Sequence, residues 1–165
     1  MNWYVIYMNF DCSHELISLF NRYSDIYVFK PKVEYWFKNS HVQEYQSKDL
    51  YPDYLFIKTS LEEVEFMNKY EELLKSIERL GRLLSKDDVI ILKKEEQIIL
   101  NQLFDQGDII RHSIGHKGEN GPVIDEGPMI GLESFIKKID RHKRFALLDF
   151  HFDDLMMKLP LEIVA

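Results

Sequence analysis

Leu50-Tyr51-Pro52-Asp53-Tyr54-Leu55-Phe56-Ile57-Lys58-Thr59 is the stretch on which the fold turns. Aromatic and β-branched residues dominate it, so Tyr51 to Thr59 reads as a strand. Alternation places Tyr54 and Phe56 on one face and Leu55 and Ile57 on the other. With both faces apolar, one of them must pack on helices. A helix follows at once, because Ser60 and Glu63 have the S-x-x-E spacing of a capping box. Leu61, Val64, Met67, Leu74 and Ile77 would lie near one face of that helix.

Outward from this strand the pattern repeats. Trp3 to Met8 is aromatic and β-branched, hence a strand. Ser13 can cap a helix whose apolar positions are Leu16, Ile17, Leu19 and Phe20, with 16, 17 and 20 making one buried stripe. Asp25 to Lys38 reads as extended, with an interruption at Pro31, which lacks the N–H a central strand needs. Asn39 to Asp49 is polar and reads as a hairpin loop. Val89 to Leu92 is a short strand. Lys94 to Phe104 is a helix with Ile98, Ile99 and Leu103 inward. The order is that of an α+β sheet with packed helices, ending near Asp105.

Gln106 to Gly127 then changes character. It carries Gly107, Gly115, Gly118, Gly121, Pro122 and Gly127, and reads as a linker plus the first turns of a second unit. Phe135 to Ile139, Phe145 to Phe152 and Leu159 to Val164 read as strands, with a charged turn from Asp140 to Arg144. Short strands with little helix suggest a small β-barrel. The expected division is an N-terminal domain over 1–106, a linker over 107–122 and a second domain over 123–165.

Formal net charge is -7. Fifteen basic and twenty acidic residues precede Val123, and six and eight follow, so neither part is a polybasic arm. Any contact with nucleic acid must be local. One cysteine, Cys12, excludes an internal disulfide and fits a reducing cytoplasm. No apolar run reaches the ~20 residues a membrane helix needs. The start, MNWYVIYMNFD, lacks the basic n-region of a signal peptide. His112 and His116 stand four apart, but the glycines around them disfavour a helix, and no further ligand sits at a recognised spacing. No P-loop, G-x-S-x-G, H-E-x-x-H or dinucleotide pattern occurs. The expectation is a cytoplasmic protein, not an enzyme, with no metal and no cofactor.

Two segments resemble a known family. Trp3-Tyr4-Val5 and Leu50 to Ile57 look like the W-Y-V strand and the F-P-G-Y-V strand of the NusG N-terminal domain. Glu126-Gly127-Pro128-Met129-Ile130-Gly131-Leu132-Glu133 and Ile136-Lys137-Lys138-Ile139-Asp140-Arg141-His142-Lys143-Arg144 are similar to a KOW motif. The second string, with Leu161-Glu162-Ile163-Val164, most resembles the LoaP branch of specialised NusG paralogues. The chain departs from the pattern at Asp53 and Ser134, where glycine is usual.

The resemblance implies a NusG-type sheet with packed helices followed by an SH3-like KOW β-barrel. It implies a transcription elongation and antitermination factor that binds the clamp helices of the largest RNA polymerase subunit. Trp3, Tyr51, Tyr54 and Phe56 would line the apolar contact, or else simply form core. Lys137, Lys138, Arg141, His142, Lys143 and Arg144 would grip nascent RNA or DNA, or else form a solvated turn. Met129 would meet a ribosomal protein or a termination factor, or else cover the barrel mouth. The other readings are an RNA-binding KOW module for a leader hairpin, and a ribosome-associated KOW protein.

Overall fold

The computed structural model describes residues 1–8, 11–152 and 154–164. The fold is mixed α and β. Its elements are β1 (Asn2–Tyr7), α1 (Ser13–Phe20), β2 (Ile26–Phe29), β3 (Lys32–Lys38), β4 (Gln43–Asp49), β5 (Tyr54–Thr59), α2 (Glu63–Lys75), α3 (Glu78–Leu83), β6 (Val89–Ile91), α4 (Lys94–Leu103), β7 (Ile109–Ile110), β8 (Ser113–Gly118), β9 (Gly121–Glu126), β10 (Ile136–Asp140), β11 (Phe145–Phe152) and β12 (Leu155–Val164). The chain divides into two compact units, Met1–Pro31 with Tyr51–Gln97, and Lys32–Leu50 with Ile98–Ala165.

Unit 1 is a four-stranded sheet in the order β2-β5-β1-β6. β5 pairs antiparallel with β1 from Tyr7↔Tyr54 to Asn2↔Thr59, and with β2 from Phe29↔Phe56 to Ile26↔Thr59. Tyr4, Ile6, Ile26, Val28, Leu55 and Ile57 face the helices and pack on Leu16, Leu19, Phe20, Phe66, Tyr70, Leu73 and Leu74. Tyr4 stacks on Phe66 with ring centroids 4.2 Å apart.

Several local expectations change here. Ser60 and Glu63 form no capping box. α2 starts at Glu63 with Glu62 as its N-cap and no side-chain cap. The cause lies in the two residues before it: Thr59 Oγ1 accepts the Leu61 N–H, and the Leu61 carbonyl accepts from Asn2 Nδ2. Glu63 is therefore the first helical residue rather than the third, and its side chain is out of register for a box. The buried stripe of α2 is Phe66, Tyr70, Leu73 and Leu74, while Val64 is exposed. In α4 the buried residues are Ile99, Leu100 and Leu103, and Ile98 faces out.

Unit 2 holds a five-stranded sheet, β10-β11-β12-β8-β9, and a three-stranded sheet, β4-β3-β7. β12 and β8 are parallel, as are β3 and β7; the other pairs are antiparallel. Gln43 to Asp49, expected within a polar loop, is the strand β4. It pairs with β3 from Lys38↔Gln43 to Lys32↔Asp49. Its polarity is that of an edge strand with little surface to bury.

The stretch 107–122, read as a linker, is strand for much of its length, as β7, β8 and the start of β9. Two of its glycines, Gly115 and Gly118, serve close approach. A Cβ at Gly115 would lie 2.4 Å from the Val123 carbonyl oxygen across the β8–β9 pair, so a side chain there would part the strands. Pro31 does separate two strands, β2 and β3, as its missing N–H requires.

Candidate partner-binding surfaces

The sheet of unit 1 has a second face, opposite the one that packs on α1 and α2. Trp3, Val5, Tyr7, Tyr27, Phe29, Tyr54, Phe56 and Lys58 share it by alternation. Phe56 lies between Val5 and Phe29, and Lys58 between Trp3 and Tyr27. The rings of Trp3, Phe29 and Phe56 meet edge to face, with centroids 5.9 Å, 6.3 Å and 6.0 Å apart. That arrangement suits their quadrupoles. Lys58 Nζ stands 5.0 Å from the Trp3 ring and 5.2 Å from that of Phe29, adding a cation over the faces. The Trp3 backbone N–H donates to Gln97 Oε1 at 3.1 Å, and Gln97 Nε2 donates to the Leu92 carbonyl.

Of the four aromatics singled out in the sequence, Trp3 and Phe56 are fully buried and Tyr54 is buried. Tyr51 is half-buried, 6.0 Å from Tyr54 between ring centroids. Burial, with Tyr54 beside it, pushes the Tyr51 phenol up. Two further members of this face reach solvent, Tyr7 at 38% and Tyr27 at 43% exposure. Sequence reasoning passed over both. The signal was present, since each lies an even number of residues from a buried aromatic on the same strand, Trp3 or Phe29.

In unit 2, Met129 is fully buried, and its N–H donates to Ser113 Oγ at 3.1 Å. Its side chain is withdrawn from solvent, and the exposed apolar residue of that turn is Ile130. The basic stretch divides in two. Lys137, Lys138, Arg141, His142 and Lys143 are exposed. The turn is closed by Asp140, whose Oδ1 accepts the Lys143 N–H at 2.8 Å. That bond holds the Asp140 carboxyl below its usual range. Arg144 is half-buried, with its guanidinium carbon 3.7 Å from the centroid of the Trp36 ring.

The two histidines are spoken for by carboxylates. His112 Nδ1 lies 2.7 Å from Glu34 Oε2, and His116 Nδ1 lies 2.8 Å from Asp125 Oδ2. Among the described residues no group of three or more His, Cys, Asp or Glu is arranged to hold a metal. No helix among them is long and apolar enough to cross a membrane. A cleft of about 540 Å³ is lined by Gln102, Arg111, His112, Gly127, Pro128 and Ile130 among others. Among its polar side chains, Gln102 donates to the Pro128 and Ile130 carbonyls and Arg111 to Glu34.

Asp53 stands where the resembling strand has glycine. Its backbone does not enter the left-handed region, and its carbonyl accepts the Met8 N–H at 2.8 Å. The turn therefore does without glycine's freedom. Among curated proteins none matches the chain. A family model described as transcription termination factor nusG matches residues 1–101. That span contains β1, β5 and every other strand of the aromatic sheet, and its family is one of transcription factors that typically interact with RNA polymerase. The chain belongs to the NusG family.

Proposed function

We propose that this chain is a specialised, LoaP-like member that binds the clamp helices of the largest RNA polymerase subunit. By holding the clamp closed it suppresses pausing and termination on selected operons. The observation that carries this reading is the aromatic face of the unit 1 sheet, with Tyr7 and Tyr27 exposed at its border. Exposed tyrosines beside a rigid aromatic floor are the residue type that anchors protein interfaces. In this reading Trp3 and Phe56 shape the face from within, and Tyr51 and Tyr54 stiffen it. The effect on the polymerase is a population shift, limited to the difference in affinity for closed and open clamps. No bond-making chemistry is required.

The test is transcription in vitro across an intrinsic terminator, with wild-type protein and with a Tyr7→Ala, Tyr27→Ala variant. Read-through that rises with wild-type protein and falls back with the variant supports the proposal. Read-through unaffected by wild-type protein on its own operon's leader removes it.

A second reading has its own observation. Lys137, Lys138, Arg141 and Lys143 are exposed around one turn, and such a local patch can hold RNA phosphates on an acidic protein. Under it, the 123–165 stretch acts as a KOW module on a leader hairpin. Replacing Arg141 and Lys143 by alanine would then abolish RNA retention and all activity while polymerase binding persists.

A further inference from the structure

The hairpin of β3 and β4 is inserted in the sequence between two strands of unit 1, yet it is part of unit 2. The face it presents within unit 2 carries Glu34, Trp36 and Tyr45, since Trp36 and Tyr45 are paired across the strands. Each of these meets a side chain from elsewhere in the unit. Tyr45 stacks on the His112 ring, with centroids 3.9 Å apart and planes 3° from parallel. Glu34 accepts from the His112 backbone N–H at 2.7 Å and from Arg111 at 3.0 Å. Arg144 covers the Trp36 ring, lies 6.0 Å from the Tyr45 ring, and pairs with Glu162 at 3.3 Å. Glu162 also accepts from the Tyr45 hydroxyl at 3.4 Å.

Arg144 is the residue that joins the most parts. It is the last residue of the turn between β10 and β11, and its φ is 54°. A residue with a side chain rarely adopts that conformation, and glycine would do so freely. Its carbonyl accepts the Leu161 N–H at 3.0 Å, which fixes the turn on β12. The guanidinium then runs between Trp36 of β3 and Glu162 of β12.

We infer that Arg144 is a positioning residue, the keeper of an arginine–aromatic latch that fixes the β3–β4 hairpin on the β8–β12 pair. It is thereby set apart from the exposed lysines and arginine of its own turn. Lysine cannot substitute, because the latch uses a flat cation that stacks on indole and forks toward a carboxylate at once.

The experiment is amide hydrogen exchange of residues 34–47 in the full chain, comparing wild type with Arg144→Gly, Arg144→Lys and Arg141→Ala. Glycine keeps the left-handed turn and removes only the side chain. The expected result is exchange at least about tenfold faster in the hairpin for both Arg144 variants, with unit 1 amides and the Arg141 variant unchanged. Hairpin exchange within twofold of wild type for Arg144→Gly overturns the inference. So does equal opening by Arg141→Ala. Should an Arg144 variant fail to fold, proton NMR of the wild type decides. Stacking on indole must move the Arg144 side-chain protons upfield, and Trp36→Val must abolish that shift. Arg144 protons at unstacked positions in the wild type refute the latch.

Discussion

Tyr70→Phe is expected to make the protein more stable. Tyr70 is fully buried in unit 1 between Phe66 and Phe20, and its hydroxyl has no hydrogen-bond partner among the described residues. Burial, with Asp88 and Cys12 facing it, pushes the phenol up, so it stays neutral. A buried, unsatisfied polar group costs about 1–3 kcal/mol. Removing the oxygen leaves a gap of roughly 10–15 Å³, worth about 0.3 kcal/mol at ~24 cal/mol per Å³. The desolvation effect wins, and the net gain is about 1–2.5 kcal/mol. Tyr4 supplies the control. It packs on the same Phe66, but its hydroxyl donates to the Leu61 carbonyl at 3.3 Å. That carbonyl also accepts from Asn2 Nδ2 at 3.0 Å. Tyr4→Phe therefore loses one ordinary hydrogen bond and costs about 0.5–1 kcal/mol. Urea melts at neutral pH would measure both, with unchanged m values showing that the unfolded state is not what moved. A Tyr70→Phe protein less stable than wild type by more than about 1 kcal/mol would refute the reasoning, since the hydroxyl must then have a partner.

Gly115→Ala sets a Cβ against the Val123 carbonyl, and should cost about 1–3 kcal/mol as overpacking does, read as a lower melting temperature. Burial raises the Glu34 pKa, but the hydrogen bonds from His112 and Arg111 outweigh it and hold the carboxyl below its usual range. Its contribution is therefore full above the unfolded value of about 4.3 and is lost as pH falls through the lower folded value. Acid melts of Glu34→Gln should show a shallower fall below about pH 4.3 than wild type; identical slopes would dismiss the group as a contributor. Phe56→Ala should cost about 3–5 kcal/mol in a denaturant melt, because it empties the centre of the aromatic face. Tyr27→Ala, at a half-exposed site, should stay within about 0.5 kcal/mol of wild type and still lower polymerase retention in a pull-down.

The strands of unit 1 were legible because aromatic and β-branched runs such as Trp3 to Met8 and Tyr54 to Thr59 admit few other conformations. The faces of β5 followed from alternation alone. The start of α2 was not legible, since it depends on what the Leu61 carbonyl and N–H bond to, and those partners come from β1 and from Thr59. β4 was hidden because an edge strand has no apolar stripe to announce it. The strands of 107–122 were hidden for another reason. Glycine marks both flexible chain and tight strand contact, and only the opposing Val123 carbonyl tells them apart at Gly115. The candidate sites fared similarly. Residue type identified the basic turn, but whether a given cation is exposed or committed depends on distant partners, as Arg144 on Trp36 shows.

The insertion of β3 and β4 bears on how this protein can be dissected. A gene fragment ending near residue 101, where the family match stops, would carry the hairpin but lack Arg111, His112, Arg144 and Glu162. Trp36 would lose Arg144, Tyr45 would lose His112, and β3 would lose β7 and be left as a second open edge of the hairpin, a setting that favours aggregation. Deleting Lys32 to Leu50 and rejoining Pro31 to Tyr51 with a short glycine-containing turn would yield a cleaner fragment of the first unit. The hairpin would then have to travel with the second fragment, for instance as a permuted chain opened at that same junction.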